Sequence, residues 1–484
     1  METTPPLNAR LKLGYGLGQF GWAAKDVSFH YFLFFYYTQL LGLSASLAGL
    51  AALLALVVDG ISDPIIGQVS DNWRRGKWGR RHPLMAMALL PFIAALIAIF
   101  NPPPGLEQSS LFAWYLVMAI AVRTFLTLYT VPHMALGAEL SEDYQERTSI
   151  SVYRVAFGYV GGLLIQVIAW FVVIPAAIDA GNAAQGYSSV GIVAALIATF
   201  GMTIAFFSTR SRIPYLVRTS NEQQGRPWYL AFTDILAIFK HPSAAVLLGA
   251  SLILTVAMGI GNTMLLHVNS YFYGFSSEQI GVFMLAVFFA LLPSSALALW
   301  GSRRWGKRKA VIVFIVVSSL LHPIAPLLHL YGFTPPTGST ALLGVVCLFV
   351  VINQCFTIAI LHTSGAMLPD VVDEMELSTQ LRQEGMLNSA LMLTQKVTFG
   401  LGSFCAGLAI DYAGFAGVTS AADTTPEMLT RLVWVYGAGI ALLKLAGAAT
   451  FLRYQLSESR CKSIQATLAE RREEQSAYAA QSKA

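Results

Sequence analysis

A chain of 484 residues has room for two or three water-soluble domains. Its composition excludes that reading: 55% of residues are hydrophobic, 12% are charged and mean hydropathy is +0.60, whereas soluble proteins carry roughly a quarter charged residues. The formal net charge of +5 does not point to nucleic acid, because the basic residues are gathered in particular loops.

In chain order, twelve apolar segments recur, at about 13–41, 47–70, 84–101, 111–135, 149–174, 190–208, 243–272, 279–300, 310–331, 341–366, 384–411 and 430–452. Some 20 such residues cross roughly 30 Å of hydrocarbon as a helix. Lipid offers backbone groups no water, so helices are the spanning form, and the alternating pattern of a barrel is missing. The expected fold class is an all-α membrane protein with twelve transmembrane helices.

Every second loop is basic. Arg74, Arg75, Lys77, Arg80 and Arg81 fill one, Arg210, Arg212, Arg218 and Arg226 the next of note, and Arg303, Arg304, Lys307, Arg308 and Lys309 a third. The intervening loops near 42–46, 102–110, 175–189, 274–277, 332–340 and 413–428 contain neither Lys nor Arg. Basic loops stay in the cytoplasm, which places both termini there in a multi-pass protein of the cell (inner) membrane.

The longest loop, 209–242, is polar, basic and Pro-bearing. It reads as a cytoplasmic linker, with an amphipathic stretch near 228–240 on the membrane surface. It separates a six-helix bundle at 1–208 from another at 243–453, and 454–484 reads as a short, frayed polar cytoplasmic helix. WGRR at 78–81 is echoed by WGKR at 305–308, each between the second and third helix of its half. Two six-helix halves are a layout typical of secondary transporters. Such a fold needs no partner chain, so a monomer in the bilayer is expected, with no nucleic acid involved.

The stretch VVDGISDPIIG carries the chemistry. Asp59 and Asp63 are four residues apart near the middle of the second span, so they share one helix face. A charge at that depth costs about 2.5–3.5 kcal/mol on insertion scales, and two stacked acids also repel unless a cation or proton lies with them. Pro64 removes a helical donor and frees a carbonyl near Gly60, and Ser62 adds a hydroxyl. These are the ligands a hard monovalent cation needs. The competing account is an acid pair satisfied by a basic residue on another helix. Lys25 and Asp26 in helix one, Arg154 one turn into helix five and Lys396 in mid helix eleven also look buried. Ionisable groups on helices one, two, five and eleven converge only around a central substrate and ion pathway. Plainer readings exist: local neutralisation for Lys25 with Asp26, and snorkelling for Arg154.

Other patterns carry no chemistry. GYGLGQFG contains G-x-G-x-x-G at Gly16, Gly18 and Gly21 but lies within a membrane helix, where small residues allow close packing. The aromatic run 31–37 reads as packing surface, and Cys347, Cys355, Cys405 and Cys461 show neither metal nor disulfide spacing. No catalytic or cofactor motif is found, so neither an enzyme nor a bound cofactor is expected.

GQVSDNWRRGKWGRR, from Gly67 through Asp71 to Arg80 and Arg81, resembles the cytoplasmic loop motif of the major facilitator superfamily, with a longer insert before the basic pair. That resemblance implies a gating role for Asp71 and Arg80 and the major facilitator fold for the two bundles. LGYGLGQFGWAAKD, DGISDPIIG, YTVPHMALGAELSEDYQERTSISVYR, LPDVVDE and LTQKVTFG resemble, in the same order, segments of the glycoside–pentoside–hexuronide:cation symporters, the melibiose permease-like family. The resemblance implies a cation site at Asp59, Ser62 and Asp63 completed by Thr127 in helix four. It implies sugar contacts at Lys25, Asp26 and Arg154, a bridging role for Lys396, and gate residues at Asp370 and Asp373 with Glu374. Thr130 and Met134 stand where melibiose-type members carry an Asp and a Trp. Those two departures weaken the case for a galactoside while leaving the ion site whole.

The expected function is import of a sugar or glycoside together with Na⁺, H⁺ or Li⁺ by alternating access. Binding of the ion between Asp59 and Asp63 is expected first, freeing Lys25 or Lys396 from the acids. Animal lysophospholipid symporters share the helix-two acids, so an amphiphile is the alternative substrate.

Overall fold

The computed structural model describes residues 7–73, 76–141, 143–215, 238–381, 384–415, 417–418 and 421–481. The stretch 228–240 expected to lie on the membrane falls mostly outside these residues, as do Arg74, Arg75, Arg218 and Arg226.

Twelve helical passes follow one another among the described residues. The first, α1, occupies residues 9–40; then come α2 Ala45–Asn72, α3 His82–Phe100, α4 Gln108–Glu139, α5 Gln145–Asp179 and α6 Ala183–Arg210. The second series is α7 Pro242–Phe272, α8 Ser277–Trp305, α9 Lys307–Leu330, α10 Thr340–Thr379, α11 Glu384–Ala413 and α12 Pro426–Phe451, with α13 Glu458–Gln481 after it. Among the described residues ten of these are long and apolar enough to cross a membrane. The other two passes are α1, which is interrupted, and α11, which carries Thr394, Gln395, Lys396 and Thr398 in sequence with its apolar residues. No strand forms among the described residues.

Several helices outrun their apolar segments. α4 continues to Glu139 and α10 to Thr379, because helical hydrogen bonding persists in water after hydropathy has fallen. α1 breaks after Leu17, resumes at Phe20 and widens into π-turns at Ser28–Leu33 and Tyr36–Leu40. Wide turns of this kind concentrate at functional sites. The glycines of the false nucleotide motif sit where neighbours crowd: a Cβ at Gly16 would stand 2.7 Å from the Phe157 ring, and one at Gly21 2.6 Å from the Met202 sulfur. Phe32, Leu33, Tyr36 and Tyr37 are buried, and Tyr36 stacks on Phe100 and Tyr187.

By contacts the chain divides into two compact units. Unit 1 comprises 1–228, 259–284 and 400–432; unit 2 comprises 229–258, 285–399 and 433–484. Within unit 1, the ends of α1, α2, α7 and α11 remote from the N-terminus close on one another. The Asp411 carboxylate accepts from Ser44 Oγ (3.1 Å) and from the main-chain N–H groups of Ala45 (3.1 Å) and Ser46 (2.8 Å), at the part-buried N-terminus of α2. Gln39 pairs with His267 at 3.0 Å and accepts from the Tyr271 hydroxyl at 3.0 Å. Gly49 lets the Phe404 backbone approach so closely that a Cβ would stand 2.7 Å away. These contacts explain why stretches of the second half belong to unit 1.

Unit 2 is organised around Phe314, Ile315, Met367, Val371 and Phe451, and Ile464 and Leu468 of α13 join the same core. α13 is therefore a docked helix over that stretch. Arg460 pairs with Glu374 at 3.1 Å and Arg472 with Glu376 at 2.9 Å, which adds charge fixation to the apolar contact.

Candidate functional site

Asp59 and Asp63 project one turn apart from α2, and Arg123 and Thr127 project one turn apart from α4. The two pairs face each other. The Thr127 hydroxyl lies 3.0 Å from Asp63 Oδ1 and 3.4 Å from Asp59 Oδ1. One hydroxyl carries one proton, so it serves one carboxylate at a time and presents its lone pairs to whatever shares the site. Ser62 Oγ donates to the Asp59 main-chain carbonyl at 3.1 Å. α2 runs helical through Pro64, so the missing donor loosens the helix without breaking it.

Asp59 also has a basic neighbour on another helix, as the competing account requires. Arg123 Nη1 lies 3.5 Å from Asp59 Oδ2, and its guanidinium carbon stands 5.1 Å over the Phe29 ring of α1. Asp59, Arg123 and Thr127 are 6%, 8% and 6% exposed, while Asp63 and Ser62 are half-buried. Arg123 stands outside the residues expected from the sequence. Its signal was the same one that exposed the acids: a charge in the middle of an apolar span.

A second cluster lies on α1 at its first wide turn. Lys25 Nζ is 3.4 Å from Asp26 Oδ1, and His30 Nδ1 is 3.3 Å from the same oxygen and 2.9 Å from the Asp26 carbonyl. Local neutralisation of Lys25 by its neighbour is thus present. Trp22, one turn before them, is 40% exposed and offers an aromatic face that the sequence reading did not consider. Thr130 is half-buried and Met134 half-exposed on α4, one and two turns beyond Thr127. Arg154 is half-buried and lies deeper along α5 than the one turn expected, because that helix starts earlier than its apolar segment. Lys396 is half-buried on the part of α11 that belongs to unit 2.

The residues expected at the gates have partners within their own units. The Asp71 carboxylate pairs with Arg81 at 2.8 Å, while Arg80 donates to the Asp71 main-chain carbonyl at 3.3 Å. Both arginines converge on Glu139 at the end of α4, at 2.7 Å and 2.8 Å. Asp370 accepts from Lys307 at 2.6 Å, and Asp373 accepts from Gln465 of α13 at 3.3 Å. Glu139 and Arg81 were missed as a pair, since nothing in their spacing announces it.

Comparison with known proteins shows the family. A family model described as MFS/sugar transport protein matches residues 14–458. The chain belongs to that family. It is therefore a membrane transporter of the major facilitator superfamily. The transporter is 24% identical to the isoprimeverose transporter of Lactiplantibacillus pentosus, over 90% of this chain and 87% of that protein. It is 24% identical to the inner membrane symporter YicJ of Escherichia coli, over 96% and 95%. Among solved structures a D-xylose–proton symporter superposes with a TM-score of 0.60 at 14% identity, covering 93% of this chain and 98% of that one. That structural likeness speaks to the fold.

Proposed function

We propose that this transporter imports a sugar or glycoside together with a monovalent cation, by alternating access of an amino-terminal and a carboxy-terminal six-helix half. The observation that carries the reading is the meeting of Asp59, Asp63 and Thr127 across α2 and α4. Carboxylate and hydroxyl oxygens suit a hard cation or a proton. Relatives named as symporters and as an isoprimeverose transporter support the substrate class. Nothing among them favours an amphiphile.

In this reading the cation enters beside Asp63, cancels charge in a low-dielectric setting, and lowers the cost of moving the loaded site across the membrane. Lys25, Asp26 and Arg154 supply charged donors and acceptors for sugar hydroxyls, with Thr130 and Met134 shaping the wall and Trp22 offering a stacking face. Na⁺, Li⁺ and H⁺ all fit the oxygen set. The basic loops put both termini in the cytoplasm, so the closed ends of α1, α2, α7 and α11 face outward. One charge moving down about 100 mV supplies roughly 2.3 kcal/mol. At about 1.4 kcal/mol per tenfold, that sustains roughly fifty-fold accumulation.

The test is uptake of radiolabelled xylosides, glucosides and glucuronides into proteoliposomes under imposed Na⁺ or H⁺ gradients. Accumulation that collapses with the gradient is expected. Asp63→Asn should abolish accumulation while sparing substrate exchange. Undiminished accumulation in Asp63→Asn would refute the coupling role.

A further inference from the structure

We propose that the hairpin of α8 and α9 binds an anionic phospholipid. Arg303, Arg304 and Lys309 hold its phosphate, and the upper part of an acyl chain lies against Trp300 and Trp305. The proposal stands on embedding in a bilayer, which the family gives, and does not need the symport reading.

The chain carries no Asp or Glu from 279 to 369, yet five basic residues gather between 303 and 309. Unit 2 uses two of them internally. Lys307 donates to Asp370 and to the Ala366 carbonyl, and Arg308 donates to the Leu452 carbonyl. Arg303, Arg304 and Lys309 are exposed and make neither a hydrogen bond nor an ion pair among the described residues.

The helices set the direction of these three cations. In α8, Leu292, Ala296, Leu299 and Arg303 recur at helical spacing and all are exposed, so Arg303 ends an apolar, lipid-facing stripe. In α9, Lys309 shares a face with the exposed Val313 and Leu320 and ends that stripe in the same way. Gly301 lies against Phe314 with no room for a Cβ, which packs the two helices closely beside their loop. Two apolar stripes therefore run up to one rim of cations, at the depth where acyl chain meets headgroup.

The indoles complete the surface. Trp300 and Trp305 are 55% and 37% exposed and pack edge to face, with 4.9 Å between ring centroids. Neither indole N–H has a hydrogen-bond partner among the described residues. Exposed tryptophan belongs at the bilayer interface, with its ring among the chains and its N–H turned to headgroup oxygens. Topological anchoring explains why this loop is basic. It does not explain three cations left without partners on the lipid side beside two such indoles. The basic pair after α2 gives the contrast, since Arg80 and Arg81 are bound to Glu139. An anionic headgroup relieves the mutual repulsion of the three cations, whereas a zwitterionic one brings a cation of its own.

The experiment uses the full-length transporter in phosphatidylcholine vesicles that contain brominated phosphatidylglycerol or brominated phosphatidylcholine. Tryptophan quenching gives the relative binding of the two brominated lipids. The chain has nine tryptophans, so the signal of this site is the difference between the unaltered protein and Trp300→Phe/Trp305→Phe. In that difference, phosphatidylglycerol should be preferred at least about fivefold, the worth of one basic residue near the surface. Added salt should lower the preference. The same difference taken in Arg303→Gln/Arg304→Gln/Lys309→Gln should show a preference of about one, with quenching by phosphatidylcholine retained. Arg303→Lys/Arg304→Lys keeps the charge and should keep most of the preference. Excess inorganic phosphate should not displace the lipid, because it brings no chain to lie on the indoles.

Equal quenching by the two lipids in the unaltered protein would overturn the proposal. So would a preference that survives the triple variant. Displacement by inorganic phosphate would make this a site for a free anion and overturn the lipid assignment. Should the triple variant fail to yield folded protein, the three single variants decide, each expected to lower the preference by up to about fivefold. Single variants that all keep the full preference would then overturn the proposal.

Discussion

The loops after α2 and after α8 carry the same four-residue echo and perform the same task with unequal strength. In unit 1, Gly79 turns with a φ of 71° and Arg80 and Arg81 reach Glu139 near the end of α4. In unit 2, Gly306 turns with a φ of 77° and Lys307 reaches Asp370 and the Ala366 carbonyl towards the end of α10. Each loop thus pins the fourth helix of its own half, so the duplication seen in WGRR and WGKR is one of geometry as well as letters. The difference lies in the cation. Arg81 is buried and its fork bonds Ser70 (2.7 Å), Asp71 (2.8 Å) and Glu139 together, whereas Lys307 is a 40% exposed point charge. The first clamp centres on a buried, forked cation and the second on a part-exposed point charge, while their acids, Glu139 and Asp370, are similarly shielded.

Substitutions at three positions sharpen this contrast. The largest effect is expected from Arg81→Ala, which removes a buried cation and leaves the half-buried Glu139 with Arg80. Losing the charge-assisted hydrogen bonds costs about 2–3 kcal/mol, read as a lowered unfolding temperature in detergent that added salt barely changes. Arg81→Lys should restore little, because an ammonium cannot fork. An Arg81→Ala protein as stable as the parent would remove the argument for a buried clamp. Next, Gly306→Ala should cost about 1–3 kcal/mol, since its φ of 77° and ψ of 155° lie where L-residues are strained. No atoms crowd that position, so the loss would be purely conformational. The smallest effect belongs to Lys307→Ala, about 1 kcal/mol, because the cation is part-exposed although Asp370 is buried, and salt should weaken it. A loss matching that of Arg81→Ala would show the second clamp to be as strong as the first.

The candidate site divides in a similar way between what patterns reveal and what packing assembles. Asp59 and Asp63 were legible because a charge in an apolar run is visible and a four-residue interval means one helix face. Thr127 was reached by resemblance to the cation symporters, not by spacing. Arg123 has the acids' own signal yet stands outside the expected residues, and its pairing with Asp59 depends on which face of α4 meets α2. At the loop, Arg80 and Arg81 are adjacent letters of one type. Only the turn at Gly79 decides that Arg81 takes the Asp71 carboxylate while Arg80 takes its main-chain carbonyl. The tail shows the same limit. Its polar composition suggested a frayed helix, yet Ile464 and Leu468 dock in the core of unit 2 and two arginines pair with Glu374 and Glu376.

Solvent explains the division. Lipid penalises every unsatisfied backbone group and every unpaired charge, so the spanning helices, the all-α class and the depth of the acids are written directly into hydropathy and charge position. Partner choice obeys no such one-dimensional penalty. It depends on which helix faces meet and on distances of a few ångströms, and those are set by packing between segments far apart in the chain. Arg123 against Asp59, Glu139 against Arg81 and Asp411 over the start of α2 are all decisions of that kind.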